Sequence, residues 1–278
     1  MELHASSRGQ GPPLVILHGL LGSGDNWASF ARALADAYRV ITCDARNHGR
    51  SPHTAVMNYG AMALDLEILL DRFGLPWAHL LGHSMGGKTA MQFAVTRPHR
   101  VGRLIVVDIG PGSYGRRHDP LLDALSGLDL GRCATRASID RALAERIPEP
   151  AVRQFLLKNV GRTEAGGFGW RPNLKVLQGA YEELLGGLPP GSRCLRPALF
   201  VRGGMSDHIG SGERGRIRRI FPHAAVLTIR KAGHWVQRDA PAELEQAVRA
   251  FLRLNGASPA PSAQPSPPLQ PAGSPPSG

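Results

Sequence analysis

The stretch AHLLGHSMGG at residues 78–87 decides the fold of this chain. Its apolar first half predicts a short buried strand over Ala78–Leu81, and the residues that follow predict a helix over Met85–Thr96. Between the two, residues 82–86 have the form G-x-S-x-G, which is a weak signal alone in a chain with 34 glycines. In a turn from strand to helix the same pattern is typical of an exposed nucleophile, so we predict that role for Ser84. The alternative is an ordinary glycine-rich turn in which Ser84 caps the helix.

Short apolar runs alternate with amphipathic stretches on both sides of this turn. The apolar runs predict strands at Leu14–Leu17, Val40–Cys43, Ala78–Leu81, Leu104–Val107, Ala198–Val201 and Ala225–Ile229. The helical periodicity predicts helices at Asn26–Ala37, Tyr59–Phe73, Met85–Thr96, Glu213–Ile220 and Ala242–Leu252. This order predicts an α/β fold in which a mostly parallel central sheet has helices on both faces.

The alternation stops at Gly110-Pro111, and the sequence before Ala198 contains helical patterns but no convincing strand. We therefore predict a core domain in two parts, 1–111 and 191–255, with a helical cap at 112–190 inserted over the strand ends. Helices that merely extend the core are the alternative. Residues 256–278 are rich in proline, serine and alanine and lack apolar bulk, so we expect a disordered tail.

Composition restricts the classes of function. The formal net charge of the 278 residues is +11, but the arginines are spread along the chain without a basic run, so we expect no nucleic-acid partner. No apolar stretch approaches the ~18 residues that span a membrane, and no signal-peptide pattern is present, so a cytoplasmic location is expected. The chain has three widely spaced cysteines, has no H-E-x-x-H, and carries no glycine-rich phosphate or dinucleotide fingerprint in the context that such a site requires. We therefore expect no disulfide frame, no metal and no cofactor.

A serine hydroxyl needs a neighbouring base in order to attack at neutral pH. The expected order along the chain is serine, acid, histidine. The histidines that follow Ser84 are His99, His118, His208, His223 and His234. Of these, His234 lies in a Gly-His loop between a late strand and the last helix, and we predict it as the general base.

The base needs a carboxylate to orient it, and two aspartates compete for that role. Asp207 follows the predicted strand at 198–201, which is the usual location. Asp108 comes directly after the apolar run Leu104–Val107, where a carboxylate is rarely left unpaired. Position alone favours Asp207 by a modest margin.

The oxyanion that develops during acyl transfer requires two backbone N–H groups. Met85, the residue after the nucleophile, is predicted to supply one. The loop after the first strand is predicted to supply the other, from Leu20 or, as the next choice, from Leu21. We expect His18 to brace this loop.

Seven motifs resemble those of the YbfF-type bacterial esterases and their mitochondrial abhydrolase relatives. They are HGLLGS at 18–23, DARNHGRSPH at 44–53, LGHSMGGK at 81–88, VVDIGP at 106–111, FLLKN at 155–159, GFGWRPN at 167–173 and AGHW at 232–235. The resemblance covers roughly residues 12–253, the predicted cap included. It implies the α/β-hydrolase fold and a cofactor-free hydrolase of short-chain carboxylic esters that accepts some acyl thioesters.

The resemblance also implies an acid, because the aspartate of the VVDI segment holds that role in the family and corresponds to Asp108. This sequence departs from the family pattern by carrying a carboxylate at Asp207 as well, so Asp207 remains the alternative acid. The loop residues Arg46, Asn47 and His48 are predicted to brace the nucleophile turn rather than to contact substrate.

Three residues of the predicted cap have two interpretations of equal weight. Phe168, Trp170 and Arg171 either line the substrate pocket or form a small core within the cap itself.

Together these residues predict a serine carboxylesterase that hydrolyses small or short-chain acyl esters through an acyl-enzyme on Ser84. Its partner is then a small-molecule acyl ester or thioester. An acyl-CoA thioesterase or a cofactor-free perhydrolase with the same triad is the alternative enzyme. A catalytically inactive binding module on the same fold is disfavoured, because both Ser84 and His234 occur in the expected context.

Overall fold

The computed structural model describes residues 1–117, 119–164 and 166–253. The predicted tail at 256–278 lies outside the described residues. The strands are β1 (Ala5–Arg8), β2 (Pro13–Leu17), β3 (Arg39–Cys43), β4 (Ala78–His83), β5 (Val101–Val107), β6 (Val160–Arg162), β7 (Phe168–Trp170), β8 (Ala198–Gly203) and β9 (Ala224–Ile229). The α-helices are α1 (Ala28–Leu34), α2 (Tyr59–Arg72), α3 (Met85–Thr96), α4 (Asp119–Ser126), α5 (Arg136–Ala144), α6 (Pro150–Leu157), α7 (Leu174–Gly179), α8 (Tyr181–Leu185), α9 (Ser211–Ile220), α10 (Val236–Asp239) and α11 (Pro241–Arg253).

The central sheet has seven strands in the order β1-β3-β2-β4-β5-β8-β9. Strand β1 runs antiparallel to β3, and the other neighbouring pairs are parallel. The structure thus confirms the predicted α/β fold with a mostly parallel sheet. Every residue of β4 and β5 is buried, as expected for central strands that are covered on both faces.

Helices cover both faces of the sheet, and alternate residues of one strand pack against different faces. Val15 and Leu17 of β2 contact the cluster that contains the buried sides of α2, α3 and α9. Leu14 and Ile16 contact the opposite cluster, to which α1, α10 and α11 contribute. This alternation follows from the two-residue period of a strand. This packing on both faces holds the strand ends, and therefore the loops that follow them, in fixed positions relative to one another.

A helical segment with one hairpin lies between β5 and β8, and we call residues 119–185 the cap. Helices α4 to α8 form their own apolar cluster around buried residues such as Leu125, Leu156 and Tyr181, which also contacts Leu21 and Met85 of the core. The expectation that residues 112–190 contain no strand was wrong, because β6 and β7 form an antiparallel pair there. Each of these strands has only three residues, which is too short to show an alternating apolar pattern.

The other differences lie at the margins of the predicted elements. The edge strand β1 (Ala5–Arg8) was missed, because its sequence ASSR has no apolar pattern and only one of its edges is paired. The predicted helix at Asn26–Ala37 is a 3-10 turn at Gly24–Trp27 followed by α1 at Ala28–Leu34. Among the described residues, none of the helices combines the length and the apolar character needed to cross a bilayer.

A pair of identical substitutions on α2 tests the packing of the core. Leu70 is fully buried, whereas Leu64 on the same helix is 48% exposed. We expect Leu70→Ala to lower the free energy of unfolding by ~2–5 kcal/mol, because it removes methyl groups from a packed interior. Leu64→Ala should change it by no more than about 0.5 kcal/mol. Chemical denaturation followed by circular dichroism measures both values, and equal losses would contradict the packing described above.

Candidate active site

Ser84 occupies a strained turn between β4 and α3. Its φ of 52° lies in the left-handed region, which is unfavourable for a residue with a side chain. Its N–H donates to the Val107 carbonyl at 3.1 Å, which anchors the turn to the neighbouring strand. A Cβ atom at Gly82 would clash with the Gly86 carbonyl, and one at Gly86 would clash with the Leu17 carbonyl. The two glycines of the G-x-S-x-G pattern are therefore steric requirements of the turn.

His234 and Asp108 are in direct contact. The Nδ1–H of His234 donates to Oδ2 of Asp108 at 2.8 Å, a pairing between residues 126 positions apart. Because Nδ1 carries the proton in this bond, Nε2 of neutral His234 is the acceptor nitrogen. His234 also lines the same cleft as Ser84. The structure thus brings the predicted serine and histidine together with one of the two predicted acids.

Asp108 is completely buried at the end of β5 and has a left-handed φ of 49°. In addition to His234, its carboxylate accepts hydrogen bonds from the Gly203 N–H at 2.9 Å and from the Ser206 hydroxyl. Burial raises the pKa of the Asp108 carboxyl, and the hydrogen bonds from Ser206 and Gly203 act in the opposite direction. These donors account for a carboxylate in the interior of the protein.

Asp207 has a different environment. Its side chain is 73% exposed and forms an ion pair with Arg117 at 2.5 Å. The Arg117 guanidinium lowers the pKa of the Asp207 carboxyl. Asp207 also approaches Nδ1 of His208, at 3.7 Å. The geometry therefore does not support the modest preference for Asp207 as the acid that its position in the sequence gave.

The oxyanion loop lies beside the nucleophile turn. Met85 is the first residue of α3, where amide groups have no partner within the helix. The Leu20 N–H has no hydrogen-bond acceptor among the described residues. The Leu21 N–H, by contrast, donates to Nε2 of His48 at 3.2 Å, so the prediction of Leu21 as an alternative donor is corrected. Leu20 and Met85 remain as the predicted pair of donors.

Two neutral histidines brace this loop. Nδ1 of His48 donates to the Arg46 carbonyl at 2.9 Å, which leaves its Nε2 free to accept from Leu21. His18 is arranged in the same way: Nδ1 donates to the Gly19 carbonyl at 2.8 Å and Nε2 accepts from the Ala45 N–H at 2.9 Å. Burial lowers the pKa of His48 to about 3 and also lowers that of His18, so both rings are uncharged at neutral pH. Their contacts are structural.

The cap also holds the loops around the site. The side-chain amide of Asn159 donates to the Leu21 carbonyl at 2.7 Å, and the Asn173 N–H donates to the Asn47 carbonyl at 3.0 Å. Arg46 forms a buried two-pronged ion pair with Asp65, at 2.6 and 2.8 Å. The loop that contains Arg46, Asn47 and His48 thus contacts other parts of the protein, in line with the bracing role expected for it.

Two clefts meet at Ser84. The first encloses about 480 Å³ including its open mouth and is mainly apolar; its lining includes Tyr59, Met85, Ile109, Tyr181, Leu184 and Leu185. The second encloses about 520 Å³ on the same basis and is more mixed; its lining includes Asn26, Trp27, Phe155, His234, Trp235 and Gln237. Leu20 lines both clefts. A substrate bound at Ser84 therefore has separate space on each side of the nucleophile.

Phe168, Trp170 and Arg171 do not line either cleft, which corrects their interpretation as pocket residues. Phe168 and Trp170 belong to β7 and pack against the apolar cluster of the cap. Arg171 is exposed, and its carbonyl accepts from His53 at 2.8 Å. The motif that contains these three residues therefore belongs to the internal structure of the cap and not to the two clefts.

Sequence reasoning missed two residues that contact the site. Ser206 donates to Asp108, and His208 stacks on His234 with ring centroids 3.9 Å apart and an angle of 17° between the rings. Both lie in the loop after β8, where the sequence GMSDHIG at 204–210 drew attention to the carboxylate alone. A loop of polar residues offers no signal as to which side chain turns inward.

Asp108, His208 and His234 also present ligand atoms that lie within 4.8 Å of one another, close enough to consider a metal ion. The two imidazole rings are nearly parallel, so their ring-plane lone pairs run side by side instead of converging on one point. In addition, Nδ1 of His234 is engaged with Asp108. This geometry suits proton transfer better than metal coordination.

The chain is similar to known proteins over most of its length. A family model described as "alpha/beta hydrolase fold" matches residues 12–129. The sn-1-specific diacylglycerol lipase ABHD11 of Mus musculus is 40% identical over 87% of this chain and 81% of its own. Esterase YbfF of Escherichia coli (strain K12) is 36% identical over 89% of this chain and 96% of its own. A solved structure titled "Marine microorganism esterase" has a TM-score of 0.88 and 40% identity, and the match covers 90% of this chain and 99% of that one.

Asparagine variants distinguish the two acids. Asp108→Asn removes the acceptor that fixes the tautomer of His234, so we expect kcat to fall roughly 10,000-fold. Asp207→Asn breaks the exposed ion pair with Arg117 and weakens the longer contact with His208, and it should change kcat less than about threefold. Initial rates with p-nitrophenyl acetate measure both. A greater loss in the Asp207 variant would contradict the assignment of Asp108.

Proposed function

The chain belongs to the alpha/beta-hydrolase fold family and is a carboxylic ester hydrolase of the esterase and lipase type, and on that premise we propose that it hydrolyses small or short-chain acyl esters through an acyl-enzyme on Ser84. One observation carries the proposal. His234 donates to Asp108 at 2.8 Å and lines the same cleft as Ser84, so a base of defined tautomer shares a cleft with a half-buried serine.

The first half of the proposed reaction forms the acyl-enzyme. Nε2 of His234 takes the Ser84 proton while Oγ forms a bond to the ester carbonyl carbon. The carbonyl oxygen becomes an oxyanion and accepts hydrogen bonds from the N–H groups of Leu20 and Met85. The bond to the alcohol then breaks, and the His234 imidazolium donates its proton to the departing alkoxide. Asp108 stays ionised and stabilises the imidazolium.

The second half releases the acid. A water molecule gives a proton to His234, and its oxygen attacks the carbonyl carbon of the acyl-enzyme. The second oxyanion uses the same two amide groups. The bond to Ser84 Oγ breaks, and the serine recovers its proton from His234, which regenerates the free enzyme.

The two clefts support an assignment of the two parts of the substrate. His234 must reach the leaving alcohol, and it lines the second cleft, so the alcohol belongs there. The acyl chain then belongs in the first cleft, whose lining is mainly apolar. Each cleft encloses only about 480 to 520 Å³ even when its open mouth is included, and this limited space favours small acyl groups.

A serine-directed probe tests the nucleophile. We expect a fluorophosphonate to label the wild-type protein and to leave Ser84→Ala unlabelled, because the probe forms a bond to an activated Oγ. Ser113→Ala removes an exposed hydroxyl outside the two clefts and should leave labelling intact. Gel fluorescence measures all three. An unlabelled wild type would instead favour a binding module on the same fold.

A substrate panel tests the acyl class, because the similar proteins carry names as different as esterase and diacylglycerol lipase. We expect kcat/KM to be highest for p-nitrophenyl acetate or butanoate and to decline for the octanoate ester and for palmitoyl-CoA. The physical reason is the limited room of the first cleft. A preference for palmitoyl-CoA would point to the thioesterase alternative, and a faster reaction of acetate with peroxide would point to the perhydrolase.

A further inference from the structure

Lys88 is a buried lysine one turn after the nucleophile. Its side chain is 2% exposed, although lysine is almost never fully buried unless it is paired. None of the described carboxylates lies within ion-pair distance of Nζ, although the Glu213 carboxylate favours the charged form from farther away. Instead, Nζ donates to the carbonyls of Gly112 and Gly186, the second at 2.6 Å. The rings of Tyr114 and Tyr59 lie 5.0 and 6.0 Å from the ammonium.

The two carbonyls mark the points at which the chain enters and leaves the cap. Gly112 precedes α4 in the linker from β5, and Gly186 comes directly after α8. The two linkers run side by side: the Tyr114 N–H donates to the Leu185 carbonyl at 2.9 Å, and the Leu188 N–H donates to the Pro111 carbonyl at 2.8 Å. One ammonium on α3 therefore holds both attachment points of the cap.

A buried charge in this position requires a reason. Taking an ammonium out of water is unfavourable, and an apolar side chain of similar length would fill the same space without that cost. Burial lowers the pKa of Lys88 to about 8, which still leaves the side chain mostly charged at neutral pH. What an apolar side chain lacks is the ability to fix the positions of two carbonyl oxygens at once. Hydrogen bonds from a charged donor are also about twice as strong as neutral ones.

These attachment points bear on the first cleft. Tyr181, Leu184 and Leu185 of α8 form the cap side of that cleft, and Lys88 lines it together with Ser84. Gly186 directly follows α8, so a displacement of its carbonyl shifts the wall that an acyl chain contacts. The hydroxyl of Tyr59 donates to the Leu184 carbonyl at 2.7 Å and supports the same wall from α2.

We propose that Lys88 is a positioning residue that clamps both attachment points of the cap to the nucleophile helix and thereby sets the acyl-chain selectivity of this esterase. The selectivity part rests on the function proposed above. The clamp itself rests only on the contacts of the ammonium with the two linkers.

The test compares two esters in Lys88→Met, a variant of similar length that cannot donate hydrogen bonds. We expect the ratio of kcat/KM for p-nitrophenyl butanoate to that for the acetate to fall at least threefold, because the longer chain relies more on the wall at α8. Lys175→Met makes the same change at an exposed position of the cap and should keep the wild-type ratio. Lys88→Gln, which retains an uncharged donor, should give an intermediate ratio.

Active-site titration with a fluorophosphonate corrects each rate for the folded fraction, so a general loss of structure lowers both esters equally and leaves their ratio unchanged. An unchanged or increased ratio overturns the proposed role in selectivity. If Lys88→Met does not fold, the ratio of Lys88→Gln against that of Lys175→Met decides in the same way.

Limited proteolysis tests the clamp even if neither ester is a substrate. We expect trypsin to cleave the linkers of Lys88→Met or Lys88→Gln faster than those of Lys175→Met, with the sites identified by mass spectrometry. Equal cleavage rates overturn the clamp. Faster cleavage in a protein that hydrolyses neither ester supports the clamp and contradicts the proposed function alone.

Discussion

The hydrogen bond between His234 and Asp108 is the constraint on which the site depends. It joins residues that are 126 positions apart in the sequence. The two side chains can meet because β5 and β9 end at the same edge of one sheet, so that Asp108 and the loop carrying His234 lie on the same side. A parallel sheet places the carboxyl ends of its strands at one edge. Ser84 after β4, Asp108 after β5 and the loop after β8 therefore lie close together without a separate structural element to hold them. The register of the strands thus determines the geometry of the site.

The strained residues of the protein coincide with this site. Among the described residues, a positive φ in a residue other than glycine occurs at Leu21, Asn47, Ser84 and Asp108. Such conformations cost of the order of 1–3 kcal/mol each and persist where the surroundings over-determine them. Here the surroundings are hydrogen bonds: Leu21 is held by His48 and by Asn159 of the cap, and Asp108 by the loop after β8. Strain at the site is therefore offset by bonds contributed from distant parts of the chain.

Periodicity predicted the frame of the fold well, since it depends on local sequence. The helix at Met85–Thr96 was predicted with the bounds that the structure gives, and each parallel strand of the central sheet was placed within three residues at either end. The serine and histidine were proposed from motifs with a clear local context, and the structure brings both to one cleft.

What sequence alone could not supply were contacts between distant loops. The choice between Asp108 and Asp207 depends on which carboxylate turns inward, and both follow a strand. Leu21 was the second choice after Leu20, and the hydrogen bond from its N–H to the ring of His48 cannot be read from the sequence. The aromatic residues of the cap fitted a pocket and a small cap core equally well, because burial and ligand contact leave the same apolar signature.

The most direct test is a crystal structure of the protein phosphonylated at Ser84. The account predicts that a phosphonyl oxygen lies about 2.7–3.1 Å from the N–H groups of Leu20 and Met85. It also predicts Nε2 of His234 within hydrogen-bond distance of Ser84 Oγ, with Nδ1 still bound to Asp108. An oxygen that points away from both amide groups, or a His234 ring that has left Asp108 for another partner, would contradict it.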